Sequence, residues 1–166
     1  MDFSVIKTGD LLHCKGHSLL SKGIRLFTGS DVTHTAVAIY IWGQLHIIDA
    51  QNQGVFPRPI NTWMRKYGYD FEVVRSPFLV HEETFAKRAM TMSGSPYDKE
   101  LFAFANPREI IFKKDIDDKF DGNGKFICSE YAAWCHCIKD AYKFTPIELK
   151  NYCKYYDWTT ILNYNK

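Results

Sequence analysis

The sequence predicts an α+β domain in which a helix bearing a reactive thiol packs against an antiparallel sheet bearing a base. The apolar run from Ala36 to Trp42, a Gly43-Gln44 turn and a returning run from Leu45 to Ala50 together read as a hairpin of buried strands. Cys128-Ser129-Glu130-Tyr131-Ala132-Ala133-Trp134-Cys135 follows the Gly-rich stretch ending at Gly124 and reads as the start of a central helix reaching Tyr142. A second helix is expected over 81–93, where Glu82 and Glu83 suit the positive end of the helix dipole and Gly94 ends the pattern.

The remaining elements follow in chain order. Leu11 to Cys14 reads as a short strand and Leu19 to Phe27 as a short helix or helical turn. Thr62 to Lys66 is expected to be a short helix after the hairpin, and Phe71 to Arg75 a third strand of the same antiparallel sheet.

Composition restricts the class of protein. With 166 residues the chain fits a single domain over 1–166 with an adequate core. A 46% hydrophobic and 16% aromatic content is too high for disorder, and no Gly/Pro-rich linker divides the chain. A net charge of +2 gives no strong field to recruit nucleic acid. No apolar run is long enough to span a bilayer, and the first residues lack the pattern of a secretory signal, so a cytoplasmic protein is expected. Five cysteines, an odd count without regular disulfide spacing, fit a reducing compartment. Cys135, His136 and Cys137 with Cys153 lack paired Cys-x-x-Cys spacing, so neither a metal nor another cofactor is expected. The acidic run 115–118 lacks the terminal glutamate of a calcium loop. His13, His17, His46, His81 and His136 are expected at the surface or in satisfied sites.

The position of Cys128 carries chemistry. Unpaired N–H groups and the dipole at a helix start favour thiolate, the nucleophilic form. His34 heads the apolar strand, which would hold an imidazole rigidly as a base. The bland alternative is a buried cysteine serving as a small hydrophobe.

Several segments, in order, resemble a known family. They are Thr8-Gly9-Asp10, Ile24-Arg25-Leu26-Phe27-Thr28, Asp31-Val32-Thr33-His34, Ile47-Ile48-Asp49-Ala50 with Gly54-Val55 and Trp63, Gly94-Ser95-Pro96-Tyr97-Asp98, and Phe126-Ile127-Cys128-Ser129-Glu130. The pattern resembles the circularly permuted branch of the NlpC-type papain-like cysteine peptidases, and the YiiX-like proteins in particular. Thr33 stands where the family usually has Ser, and Asp49 where it usually has Glu. The resemblance implies a papain-like fold with Cys128 as nucleophile, His34 as base and Asp49 as the acid that orients it. The resemblance places Tyr97 near the pocket as a substrate-binding residue, with a packed tyrosine as the alternative, and Glu130, which follows the nucleophile on the same helix, is the second substrate-binding candidate, its alternative being a charge that suits the helix's positive end. The histidine precedes the cysteine along the chain, as permutation would produce, and such a triad is defined by geometry rather than order.

The implied activity is cysteine hydrolysis of an amide bond in a small peptide, cell-wall-peptide-like or lipid-like substrate. The alternatives are a lipid acyltransferase or thioesterase on the same site, or a catalytically silent binding domain. Hairpin arithmetic bears on Asp49. A two-residue Gly43-Gln44 turn pairs Ala38 with Asp49 and leaves Asp49 roughly 13 Å along from His34. Either the register differs from this, or Gln51 orients the imidazole.

Overall fold

The computed structural model describes residues 2–17, 30–98 and 125–165. The expected helix over 19–27, the family-like segment 24–28 and the acidic run 115–118 lie outside the described residues.

Six strands form one sheet in which every pair of neighbours is antiparallel. They are β1 (Leu11–Lys15), β2 (His34–Ile41), β3 (Gln44–Gln51), β4 (Gly54–Pro59), β5 (Asp70–Arg75) and β6 (Thr159–Tyr164), in the order β4-β3-β2-β1-β5-β6. The four helices among the described residues are α1 (Ile60–Tyr67), α2 (Glu82–Thr91), α3 (Cys128–Cys135) and α4 (Pro146–Tyr155), with a 3₁₀ turn over Ala141–Lys143. The α+β expectation holds.

Because successive strand residues point to opposite faces, β1 and β2 supply two cores. Leu11, Val37 and Ile39 pack with Tyr131, Ala132 and Ala133 of α3, whereas Leu12, Ala36 and Ala38 pack with Ile60 and Trp63 of α1. Helix α3 is buried almost all round, as a helix apolar on every side must be. Its Tyr131 hydroxyl donates to the Ala89 carbonyl at 2.8 Å and ties it to α2.

Two expectations are corrected. The β2–β3 turn is Trp42-Gly43, one residue earlier than expected, with φ of 49° and 77°. Both positive values belong to the primed hairpin turns that match strand twist. The second correction concerns α3, which stops at Cys135 rather than Tyr142. Cys137 adopts φ 55°, its N–H donates to Trp134 O at 3.0 Å, and Ile138 N–H donates to Ala133 O at 3.0 Å. This is the Schellman pair of bonds, with cysteine at the position usually held by glycine.

Candidate active site

The shifted turn sets the register that matters most. Val37 pairs with Ile48 and Ile41 with Gln44. Continuing that register puts Gln51 opposite His34 and Asp49 on its diagonal, within reach of a side-chain contact. His34 Nε2 and Asp49 Oδ2 are 2.7 Å apart, so Asp49 is the residue that holds the imidazole.

Asp49 is fully buried and collects donors from several elements. Its Oδ2 accepts from Gln51 Nε2 at 2.7 Å and from Trp63 Nε1 at 2.9 Å, while Oδ1 accepts from Arg58 at 3.2 Å. Burying a carboxylate is costly unless it is paired and hydrogen-bonded, and Asp49 meets both conditions. Gln51 Nε2 also lies 3.1 Å from His34 Nε2. Since that ring nitrogen donates to the carboxylate, the Gln51 proton goes to Asp49. Gln51 thus braces the acid.

Tyr69 stacks on the His34 ring with centroids 5.2 Å apart and planes 20° from parallel. Trp63 packs against Tyr69 at 5.4 Å. The ring is therefore fixed edge-on by Asp49 and face-on by Tyr69.

Cys128 opens α3 and brings its thiol to the first residues of β2. A side-chain hydrogen bond links it to His34, and the Thr35 backbone N–H also points at the sulfur. With Nε2 engaged by Asp49, Nδ1 is the ring nitrogen left for the thiol. Burial opposes charge on both partners. The His34 imidazole nevertheless holds the Cys128 pKa below the ordinary thiol value, assisted by hydrogen bonds from the His34 ring and the Thr35 backbone N–H. For His34, burial is outweighed by Tyr69, the Cys128 thiol and the Asp49 carboxylate, which together hold its pKa well above the usual imidazole range. The pair favours thiolate–imidazolium.

The other thiols differ. Cys14, the cross-strand partner of His34, is fully buried, and burial drives its pKa far up. Cys135 and Cys153 are pushed up to about 12 by burial. All five cysteines are free. Among the described residues, no three His, Cys, Asp or Glu side chains group as metal ligands would.

Tyr97 and Glu130 lie beside the nucleophile in different ways. Residues 96–98 are zipped to Phe126 by Phe126 N–H to Pro96 O at 3.2 Å and Asp98 N–H to Phe126 O at 3.1 Å. This places Tyr97 near Cys128; burial and then the Cys128 charge drive its pKa up. Glu130 accepts from the Ile127 N–H at 3.0 Å and closes the first turn of α3.

The structure brings together Cys128, His34 and Asp49, which the sequence singles out, and adds Arg58, Tyr69 and Thr35, which it does not. Trp63 lay in a recognised segment without a role. Arg58 could have been found only from strand pairing, since it is the partner of Ile47 on β4.

The histidine expectation is partly corrected. His17, His46 and His81 have partners near the surface. His13 is 3% exposed and both of its nitrogens lack a hydrogen-bond partner among the described residues. His136 Nε2 lacks one too. His13 occupies a core position on a central strand, whereas His136 is part-exposed as a residue with its ring packed between Phe85 and Trp158.

The fold finds a match among solved structures. The crystal structure of metalloprotein YiiX from Escherichia coli O157:H7, a DUF1105 protein, aligns over 95% of this chain and 89% of its own, with a TM-score of 0.59 and 20% identity. This chain has a YiiX-like fold. No family model and no curated protein sequence matches it. Among the described residues of this YiiX-like chain, no helix is long and apolar enough to cross a membrane.

Proposed function

We propose that this protein is a cysteine hydrolase of permuted papain-like architecture that cleaves an amide bond in a small peptide or peptide-like substrate. One observation carries the reading: a buried imidazole bonded to a carboxylate on one nitrogen and to a helix-start thiol on its other side. A structural cysteine has no use for that arrangement. The free cysteines suit a reducing compartment, and we place the protein in the cytoplasm.

The steps follow from the geometry. The Cys128 thiolate attacks the carbonyl carbon, forming a C–S bond and moving the carbonyl electron pair onto oxygen. Backbone N–H groups at the start of α3 stabilise that oxyanion. Protonated His34 gives its Nδ1 proton to the departing nitrogen as the C–N bond breaks. His34 then takes a proton from water, which attacks the thioester; the C–S bond breaks and the acid product leaves. Asp49 keeps Nε2 protonated throughout. YiiX is described as a metalloprotein. The described residues here do not form such a donor set, and no step runs through a metal.

The test is iodoacetamide alkylation against pH, with peptide mapping to separate the cysteines and His34→Ala as control. Cys128 is expected to react well below pH 8 and to lose that advantage in the variant. Equal reactivity of Cys128 and the other cysteines would overturn the reading.

A further inference from the structure

On the α3-facing side of the sheet, the structure shows a second polar arrangement that the proposed chemistry has not used. Thr35 follows His34 on β2 and so points to the opposite face. Its Cα partner on β1 is His13, and the partner of His13 on β5 is Glu72. Thr35 is fully buried, and neither its Oγ1 nor either His13 nitrogen meets hydrogen-bond geometry with any described group. Glu72 is occupied, accepting from Lys150 and Thr160 at 2.7 Å each. Unpartnered buried polar atoms each cost on the order of 1–3 kcal/mol, so these three atoms, side by side, call for an explanation.

Position supplies one. The Thr35 backbone N–H points at the Cys128 sulfur, and its hydroxyl lies on the same side. The sulfur thus faces two successive residues of one strand, His34 and Thr35, whose side chains leave that strand in opposite directions. We propose that Thr35 is a positioning residue for the nucleophile: its hydroxyl donates to the Cys128 sulfur when the sulfur is charged, and His13 orients that hydroxyl by donating an N–H to Oγ1. The inference rests on the hydrolase reading given above. Cross-strand partners have Cβ atoms about 4.5–5.5 Å apart, so rotation of the hydroxyl and the ring is enough to close the bond. His13 suits the task because burial, with Lys150 nearby, pushes its pKa down to about 3, and it stays neutral across the working range. No proton is transferred along this chain; it holds charge in place.

The other titratable groups that face the sulfur do not duplicate the effect. Cys14 and Tyr97 are both pushed up by burial and stay protonated, Asp49 acts through His34, and Glu130 is turned to Ile127 N–H.

The experiment is the pH profile of Cys128 alkylation in the full chain, with Thr35→Val, Thr35→Ser and His13→Phe compared with the unaltered protein. Thr35→Val is expected to move the Cys128 profile up by about one pH unit, a roughly tenfold loss of thiolate at acidic pH, and Thr35→Ser to restore it. His13→Phe is expected to move it part of the way. A purely structural role would lower the melting temperature without moving the profile. Thr35→Ala replaces the valine variant should that one not fold. Superimposable profiles for the hydroxyl-lacking variant and the unaltered protein would overturn the Thr35 assignment alone. If Cys128 is no more reactive than the other cysteines in the unaltered protein, the hydrolase reading falls, and this inference with it.

Discussion

At the scale of single residues, the site separates groups that react from groups that hold them. Replacing Cys128 or His34 by alanine is expected to lower turnover by about 10⁶-fold, because these groups act as a unit. Assay of each purified variant on any substrate found for the parent checks this, and full turnover by Cys128→Ala would end the assignment. Asp49 divides into two predictions. Asp49→Asn removes the charge beneath the imidazolium but keeps a polar group near Arg58 and Trp63, so it should cost less, about 10⁴-fold at most. His34 would then lose a group that raises its pKa, and the onset of Cys128 alkylation should move to higher pH. Asp49→Ala strands several buried donors and is expected to destabilise the fold by about 3–5 kcal/mol, read as a lowered urea midpoint. Cys128 and His34 were legible in the sequence because their signals are local: a helix start and a strand start. Tyr69 and Arg58 were not, since Arg58 reaches the site through a strand pairing and Tyr69 from the link between α1 and β5, and no local pattern states either approach.

At the scale of elements, the differences from expectation have conformational causes. Trp42 and Gly43 both sit in the left-handed region, and Trp42 is fully exposed at the hairpin tip. Tryptophan is a poor turn former, which is why the sequence pointed one residue too far along and misplaced Asp49. Since left-handed backbone costs a non-glycine residue about 1–2 kcal/mol and asparagine less, Trp42→Asn should stabilise by about 0.5–1 kcal/mol. The same logic applies at the end of α3, where exposed Cys137 at φ 55° occupies a glycine position. Cys137→Gly should stabilise by a similar amount, and urea unfolding of the two variants reads both effects. A loss of stability in either would mean that the turn is held by something other than backbone preference. The short β4 escaped notice because Pro57 and Pro59 argue against a strand, yet β4 lies at a sheet edge where proline is tolerated. Helix α4 had a readable start: Thr145 and Glu148 form a capping box around Pro146, with Thr145 N–H donating to Glu148 at 2.8 Å. β6 is the other sheet edge and carries little buried surface, so hydrophobic periodicity had little to report there.

At the scale of the whole molecule, two buried histidines on the α3 side should govern the response to acid. Burial holds both His13 and His136 down to about 3, so neither takes a proton in the folded state until strongly acidic pH. His136 is part-exposed as a residue, but its ring is packed 4.8 Å from Phe85 and 4.8 Å from Trp158, and the ring is what titrates. In the unfolded chain each would titrate near about 6.5. Between those values the unfolded state binds more protons than the folded one, so stability falls as pH falls from about 6.5 toward 3. His34 runs the other way. Its folded pKa is raised, so its contribution is fully present below about 6.5 and is lost only as pH rises through the folded value. His34 is therefore silent in the acid window, and most carboxylates enter only below about 4.5. Across the window from pH 6 to 5 the two buried rings are each expected to contribute a slope approaching about 1.4 kcal/mol per pH unit, and the Cys128 thiolate, whose folded pKa is lowered, adds to the slope in the same direction. Urea midpoints measured at intervals across that window should fall steadily with acid. His136→Phe keeps an aromatic ring between Phe85 and Trp158 and should remove one proton's share of the slope. An unchanged slope in that variant would show that the His136 ring is reached by water and protonated in the folded protein.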